Sequence, residues 1–202
     1  MNILEVKDLN MSYKTIDGNV DAVKDVSFTV KQGESFGLVG ESGCGKTSVA
    51  MSLLQLQADN GKITGGEIIF DGQNIVNLSE AELREVRWSG ISIVFQGAMN
   101  SWNPVVKIGE QIREAMREHY PNKTKDENTK KILELFEIVG LEDSIIDRYP
   151  HELSGGMKQR AVIALALSCD PKLIIADEPT TALDVVIPVS YTHLTLPTMF
   201  EV

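Results

Sequence analysis

A short segment in the first quarter of the chain has the composition of a phosphate-binding loop. Residues 40–47 read Gly-Glu-Ser-Gly-Cys-Gly-Lys-Thr, which fits the spacing of that loop in full. Its glycines let the backbone curl so that successive N–H groups point at phosphate oxygens, and the start of a helix adds a favourable dipole. Lys46 can reach the β- and γ-phosphates, and the Thr47 hydroxyl can ligate Mg²⁺. The segment predicts a nucleoside triphosphate site.

The flanking sequence favours this interpretation over an incidental glycine-rich turn. An apolar run at 35–39 predicts a strand before the loop, and residues 45–57 predict a helix after it. Cys44 is interpreted as a small filler rather than a nucleophile, because no histidine lies nearby in the sequence to activate it. The predicted nucleotide contacts are Gly40, Glu41, Ser42, Gly43, Cys44, Gly45, Lys46, Thr47 and Ser48.

Tyr13 lies at the end of a predicted strand and is a candidate to stack on the adenine ring. The alternative is that its ring only packs against the core, which is common for an aromatic residue at a strand end. Both interpretations stay open at this point.

A second segment supplies the carboxylates that a nucleotide site needs to hold Mg²⁺ and to activate water. Residues 173–178 read Leu-Ile-Ile-Ala-Asp-Glu, an apolar strand that ends in two acids. Open α/β sheets bind ligands at this end of their strands. Asp177 is predicted to hold Mg²⁺ through water, and Glu178 to activate the attacking water as a general base. The alternative is a strand end whose acids are simply solvated.

The bulk properties narrow the class of protein. The chain has 202 residues and a formal net charge of -10, so its overall field repels nucleic acid. Its two cysteines, Cys44 and Cys169, form no disulfide framework, which fits a reducing compartment. The N-terminus lacks the apolar core of a signal peptide, and no run approaches the roughly 20 apolar residues that cross a bilayer.

The remaining elements predict an α/β core that carries a helical insert. Alternating residues indicate early strands, and residues 79–82 have the spacing of a capping box that opens a helix reaching about Trp88. Helical spacing begins at Ile108 and again at about Asn128, with Gly140 as a C-cap and residues 121–125 as a polar joint. The predicted strands cover 3–13, 20–30, 65–72, 91–95 and 172–176, and the predicted middle helices cover 108–119 and 128–139.

The segment at residues 153–160, Leu-Ser-Gly-Gly-Met-Lys-Gln-Arg, resembles the signature of ATP-binding cassette proteins, which usually has Gln at the fifth position. Ser154 can cap the helix, while Gly155 and Gly156 let a phosphate approach the exposed N–H groups. The alternative is a capped helix start with no ligand.

The resemblance implies a P-loop (RecA-like) α/β core with an antiparallel β subdomain and an inserted helical lobe. It implies that Ser154, Gly155 and Gly156 complete the ATP site of a second cassette, in a homo- or heterodimer. Gln96 would sense Mg²⁺ and water, and Asp184 would contact the opposite subunit. The implied divisions are 1–96 for the β subdomain and phosphate loop, 97–160 for the helical lobe, 161–187 for the rest of the core, and 188–202 for a non-native tail.

A branch of the family is also indicated. Residues 95–104 and 108–112 resemble the oligopeptide, dipeptide and nickel import branch, and uptake of another solute is the alternative. The segment 97–112 would lie beside a groove that receives a helix of the membrane subunit. Trp102 is either an anchor in that groove or part of the packing of the lobe.

The family pattern stops after Ile187. Residues 188–198 look like translated sequencing adapter, and a divergent natural terminus is the alternative. We therefore give no role to His193, although it follows a threonine as the family's switch histidine does. The family strand that would lie between the phosphate-loop strand and the Asp-Glu strand is expected to be missing, which predicts an incomplete core and a weakly folded chain.

The sequence as a whole predicts an ATPase that drives import of peptides, or of nickel, through partner permease subunits. The family places such a protein on the cytoplasmic face of the cell membrane, with Mg²⁺ and ATP as cofactors and no nucleic acid. One rival is a cassette ATPase acting in DNA repair or translation, and the absence of a long coiled-coil insert argues against it. The other rival is a fragment that binds nucleotide without hydrolysing it.

Overall fold

The computed structural model describes residues 1–177 and 198–202, and it leaves the side chains of Met199 and Glu201 undescribed. Glu178, Asp184 and His193 therefore lie outside the described residues. The predictions made for them stay predictions.

The N-terminal part forms a four-stranded antiparallel sheet in the order β2-β1-β4-β5. The long hairpin of its first two strands turns at Ile16 and Asp17, and Gly18, the first residue of the second strand, takes φ 129. One face is apolar and covers the core, with Leu4 and Leu9 fully buried. The strands are β1 (Asn2–Thr15), β2 (Gly18–Lys31), β4 (Gly61–Phe70) and β5 (Gln73–Asn74).

A second sheet is parallel and has the order β3-β8-β7-β6. Its strands are short, and β7 is buried along its whole length, as expected for a strand covered on both faces. The strands are β3 (Ser35–Gly37), β6 (Ile91–Val94), β7 (Leu173–Ala176) and β8 (Thr198–Glu201).

The slot between β3 and β7 is occupied, which contradicts the sequence-based expectation of a missing central strand. Thr198 donates its N–H to the carbonyl of Lys172 at 3.0 Å, and its hydroxyl accepts from the N–H of Gly33 at 3.0 Å. Phe200 is fully buried and stacks on Phe28 and Phe36, with ring centroids 5.3 and 5.5 Å apart. The expectation was wrong because it rested on the family pattern, whereas any short apolar segment with free backbone groups can complete such a ladder.

Five helices are present among the described residues, together with short 3₁₀ turns. Two of them begin with a capping box, formed by Ser79 with Glu82 and by Thr124 with Glu127. The second box starts its helix at Lys125, three residues before the predicted start, within the segment that was predicted to be a joint. The helices are α1 (Lys46–Leu54), α2 (Glu80–Val86), α3 (Ile108–His119), α4 (Lys125–Ile138) and α5 (Gly155–Leu167).

Helices α3, α4 and α5 form a lobe with its own apolar core. Trp102 belongs to this core: it is 6% exposed, and its indole N–H donates to the carbonyl of Lys158 at 3.4 Å. Of its two predicted roles, the structure supports packing within the lobe. Gly140 takes φ 69 after α4, as predicted for a C-cap.

Gly109 lies where α3 meets the 3₁₀ turn at Asp143–Asp147. A Cβ there would lie 2.3 Å from Cγ1 of Ile146 and 2.7 Å from its carbonyl oxygen. Because the second clash is with backbone, Gly109→Ala is expected to lower the free energy of unfolding by about 1–3 kcal/mol. Urea unfolding measures this.

Gly37→Ala is the matched control, since a Cβ at Gly37 meets no atom within 4 Å. Equal stability of the two variants would show that α3 and the turn do not pack this closely.

Candidate functional site

The predicted phosphate loop connects β3 to α1 and depends on two glycines in the left-handed region. Gly43 has φ 81 and Gly45 has φ 98. A Cβ at Gly45 would lie 2.2 Å from the carbonyl oxygen of Ala22 in β2. Glycine is therefore required at this position both by the backbone angle and by the approach of β2. This contact could not be predicted from the sequence, because it joins the loop to a remote backbone atom.

Lys46 is the first residue of α1, and its side chain folds back over the loop. Its ammonium donates to the carbonyls of Gly40 and Glu41, at 3.0 and 3.1 Å. These bonds place a cation in the concave side of the loop, where backbone N–H groups already favour an anion. A phosphate bound in the loop would meet the positive charge of Lys46.

Thr47 and Asp177 meet at the mouth of the loop, although they are remote in sequence. The hydroxyl of Thr47 lies 3.4 Å from Oδ1 of Asp177. Asp177 follows β7 and is 5% exposed, and its N–H donates to the carbonyl of Val94 at 2.9 Å. A buried carboxylate beside a hydroxyl supplies the oxygen ligands that Mg²⁺ prefers.

Gln96 lies at the same edge of the parallel sheet. It is exposed and follows β6, whose last residue, Val94, pairs with Ala176 of β7. Because the strands are parallel, the residues that follow both of them lie at one edge. The structure therefore brings Gln96 to the side of the sheet that carries Asp177.

Tyr13 lies beside the loop, and Cys44 lies within it. The Tyr13 hydroxyl lies 3.3 Å from that of Ser48, so the ring is held beside the start of α1. Cys44 is an exposed residue, but its sulfur lies against Gly40. A Cβ added to Gly40 would be only 2.6 Å from that sulfur. This contact agrees with a space-filling role for Cys44.

The predicted signature begins α5 in the helical lobe. The Ser154 hydroxyl accepts from the N–H of Met157 at 3.3 Å and caps the helix. A Cβ added to Gly155 would have the Met99 sulfur as its nearest neighbour, at 3.8 Å. The backbone of Gly155 therefore has room for a ligand to approach closely. Within residues 1–177 and 198–202, no hydrogen bond joins Ser154, Gly155 or Gly156 to the phosphate loop. The predicted phosphate loop and the predicted signature are thus not hydrogen-bonded to each other in the described part of the chain.

Comparison with known proteins agrees with this geometry. The family model described as "ABC transporter" matches residues 23–181. This chain belongs to the ABC transporter family. The cassette is 44% identical over 194 residues to the dipeptide transport ATP-binding protein DppD of Lactococcus lactis subsp. cremoris, covering 95% of this chain and 56% of that protein. It is 46% identical over 187 residues to the oligopeptide transport ATP-binding protein OppD of Escherichia coli, covering 92% and 55%.

Among solved structures, the cassette resembles the dimeric post-hydrolysis state of the ATP-binding cassette MJ0796 bound to ADP and Pi. The TM-score is 0.85 at 29% identity, over 98% of this chain and 86% of that chain. The expected fold, a P-loop core with an antiparallel β subdomain and a helical lobe, is confirmed. The cassette spans little more than half the length of the curated relatives it matches. Within the described residues, every helix is too short or too polar to span a lipid bilayer.

Proposed function

We propose that this cassette binds and hydrolyses ATP, and that hydrolysis drives peptide import through partner permease subunits. The observation that carries the proposal is the meeting of Thr47 and Asp177, 3.4 Å apart, at the mouth of a glycine loop that holds Lys46. Peptides are favoured as the solute because DppD and OppD, the two relatives compared above, are named for dipeptide and oligopeptide transport. No observation on this chain points to nickel.

Mg²⁺ fits the residues present. Thr47 and Asp177 would hold the ion, directly or through water, with Gln96 at the same edge of the sheet. When bound, Mg²⁺ would supply positive charge that offsets the charge of the triphosphate. Glu178 follows Asp177 directly in the sequence and is proposed as the general base that orients the attacking water.

Hydrolysis is proposed to need a second cassette, identical or related. In the described residues, Ser154, Gly155 and Gly156 begin a helix of the lobe and make no hydrogen bond to the phosphate loop of their own chain. An exposed helix start with glycine backbone is suited to a phosphate of another copy. Asp184 is proposed to contact that copy beside the site.

The permease subunits would lie in the membrane, with the cassette bound to them at its cytoplasmic face. The cleft between core and lobe is proposed as the docking site, because it is apolar and open to solvent. The proposed divisions are 1–96, 97–160 and 161–187, with 188–202 as a tail. Two of these bounds need correction, because α5 (Gly155–Leu167) continues past 160 within the lobe and β8 (Thr198–Glu201) pairs with strands of the core.

Titration with ATP in the presence and absence of Mg²⁺, beside a phosphate-release assay, tests the proposal. Glu178→Gln is expected to keep Mg-ATP affinity within about twofold and to lower turnover about 100-fold, the usual size of a lost general base. The amide keeps the size of the side chain but cannot accept the proton.

Glu142→Gln, an exposed acid in the lobe, is the control and is expected to leave both quantities unchanged. Normal turnover in Glu178→Gln would remove Glu178 from the role. If the unmodified chain binds ATP but does not hydrolyse it, the chain is a nucleotide-binding fragment without ATPase activity.

A further inference from the structure

The Tyr13 ring lies against a glycine of the neighbouring strand. Tyr13 in β1 is paired directly with Gly61, the first residue of β4. A Cβ added to Gly61 would lie 2.9 Å from Cε1 and 3.1 Å from Cδ1 of the ring, and 2.8 Å from the terminal methyl carbon of Met11. Carbon atoms in favourable contact are about 3.5–4.0 Å apart. The ring therefore occupies space that any side chain at residue 61 would need.

The backbone of Gly61 does not itself require glycine. Gly61 is not one of the described glycines with a positive φ, whereas Gly66 in the same strand has φ 91 and needs glycine for its conformation. The absence of a side chain at residue 61 is thus explained by the Tyr13 ring and the end of Met11. Gly61 makes room for this ring in this orientation.

Two further contacts fix the same tyrosine. The Tyr13 hydroxyl lies 3.3 Å from the hydroxyl of Ser48 in α1. Asn60 holds the backbone of the next residue on both sides: the N–H of Lys14 donates to the Asn60 carbonyl at 2.8 Å, and the Asn60 side-chain amide donates to the Lys14 carbonyl at 3.0 Å. The tyrosine is therefore held at its hydroxyl, along its ring and through the adjoining backbone.

The fixed ring lies beside the phosphate loop and stays partly open to solvent. Tyr13 is half-buried, and its partner Ser48 comes directly after Lys46 and Thr47 in α1. A nucleobase joined through its ribose to a phosphate in the loop would come within reach of the open part of the ring. The alternative is that the ring only covers Gly61, as aromatic residues cover glycines in sheets.

We infer that Asn60 and Gly61 are positioning residues that, together with Ser48, set the angle at which the Tyr13 ring meets a nucleobase. Asn60 and Gly61 would act through the tyrosine and touch no nucleotide themselves. The inference rests on the proposed function, because it takes a nucleoside triphosphate as the ligand of the loop.

Holding the ring in place strengthens stacking for an entropic reason. A side chain that is already ordered loses little rotamer freedom when a ligand binds, so a fixed ring stacks more strongly than a mobile one. Stacking tolerates different bases, because every base has a π face. The three contacts are therefore expected to favour a ligand with a base over one without, rather than one base over another.

Calorimetric titration of the full chain with Mg-ATP and with Mg-tripolyphosphate tests the inference. Both ligands can fill the phosphate loop, but only ATP carries a base, so a change in the ratio of the two affinities reports the contact with the base. Gly61→Ala is expected to lower this ratio about tenfold, within the range measured for one base–aromatic stack. Asn60→Ala is expected to lower it about threefold, the size of one hydrogen bond.

Gly65→Ala is the matched control in the same strand. A Cβ at Gly65 would have its nearest neighbours in Asn10, at 3.8 Å, which is an ordinary contact. Its affinity ratio is expected to equal that of the unmodified chain. An equal fall in Gly65→Ala and Gly61→Ala would show that the ring does not depend on residue 61, and would overturn the inference.

A second pair of variants tests the contact at the hydroxyl without altering the packing of the ring. Tyr13→Phe and Ser48→Ala each remove one partner of the same hydrogen bond. Each is expected to lower the affinity ratio about threefold, and the double variant is expected to lower it no further, because both changes remove one interaction. Additive losses would show that the two hydroxyls act separately, and would overturn the inference.

The remaining outcomes separate this inference from the proposed function. If Gly61→Ala does not fold, Asn60→Ala and Tyr13→Phe decide, and unchanged ratios in both overturn the inference. An unchanged ratio in Tyr13→Ala would show that the ring does not meet the base, which rejects the inference and leaves ATP binding intact. An unmodified chain that binds neither ligand rejects the proposed function, and the inference with it.

Discussion

Replacing Lys46 with alanine is expected to weaken Mg-ATP binding about 100- to 1000-fold, the range seen when one partner of a hydrogen-bonded charge pair is removed. The Lys46 ammonium is held inside the loop by the carbonyls of Gly40 and Glu41 and is the described cation nearest to where a phosphate would bind. Without it, the triphosphate would lose the one basic side chain of the loop. Equilibrium titration with a fluorescent ATP analogue measures the loss.

Lys24→Ala is the matched control, because Lys24 is exposed on β2 and its removal changes the net charge equally. Its affinity is expected to stay within about twofold of the unmodified chain, since an exposed charge is screened by solvent. Similar losses in both variants would show that overall charge, rather than the loop, governs affinity.

Replacing Phe200 with alanine is expected to destabilise the chain by about 3–5 kcal/mol, the usual cost of truncating a buried phenylalanine. Phe200 is fully buried in β8, and its ring stacks on two further phenylalanines. Since small domains have total stabilities of about 5–15 kcal/mol, much of the folded population would be lost. Chemical denaturation followed by circular dichroism measures the change.

Phe95→Ala is the control, because Phe95 is 37% exposed and its truncation removes less buried surface than truncation of Phe200. It is expected to cost about half as much as Phe200→Ala, or less. A Phe200→Ala variant as stable as Phe95→Ala would mean that β8 does not occupy the slot between β3 and β7 in solution.

Local chemistry in the sequence predicted local structure well. The spacing of Ser79 and Glu82 predicted a capping box, and the structure confirms it. The same spacing at Thr124 and Glu127 starts α4 at Lys125, whereas the apolar periodicity alone predicts a start at about Asn128. A polar stretch before a helix is easily interpreted as a loop. Here its side chains accept hydrogen bonds from the first N–H groups of the helix, so the helix begins within that stretch.

The long-range features of the site were harder to predict from the sequence. The meeting of Thr47 and Asp177 followed from the rule that strand ends share one edge of a parallel sheet, which gave their neighbourhood but not their distance. The left-handed backbone of Trp88, with φ 69, could not be predicted from the sequence, because tryptophan has no preference for positive φ. The filling of the central slot by β8 depends on pairing with residues far away in sequence, which periodicity does not reveal.

The position of β8 has a consequence for the order of assembly during synthesis. Among the described strands, β3 pairs with β8, and the bond from Gly33 to Thr198 joins residues 165 positions apart. The loop carrying Lys46 is therefore translated long before β8, and the strand carrying Asp177 shortly before it, although β8 lies between them in the sheet. Until β8 pairs, the chain would hold both halves of the nucleotide site without the ladder that aligns them, so nucleotide capture should be among the last events of folding.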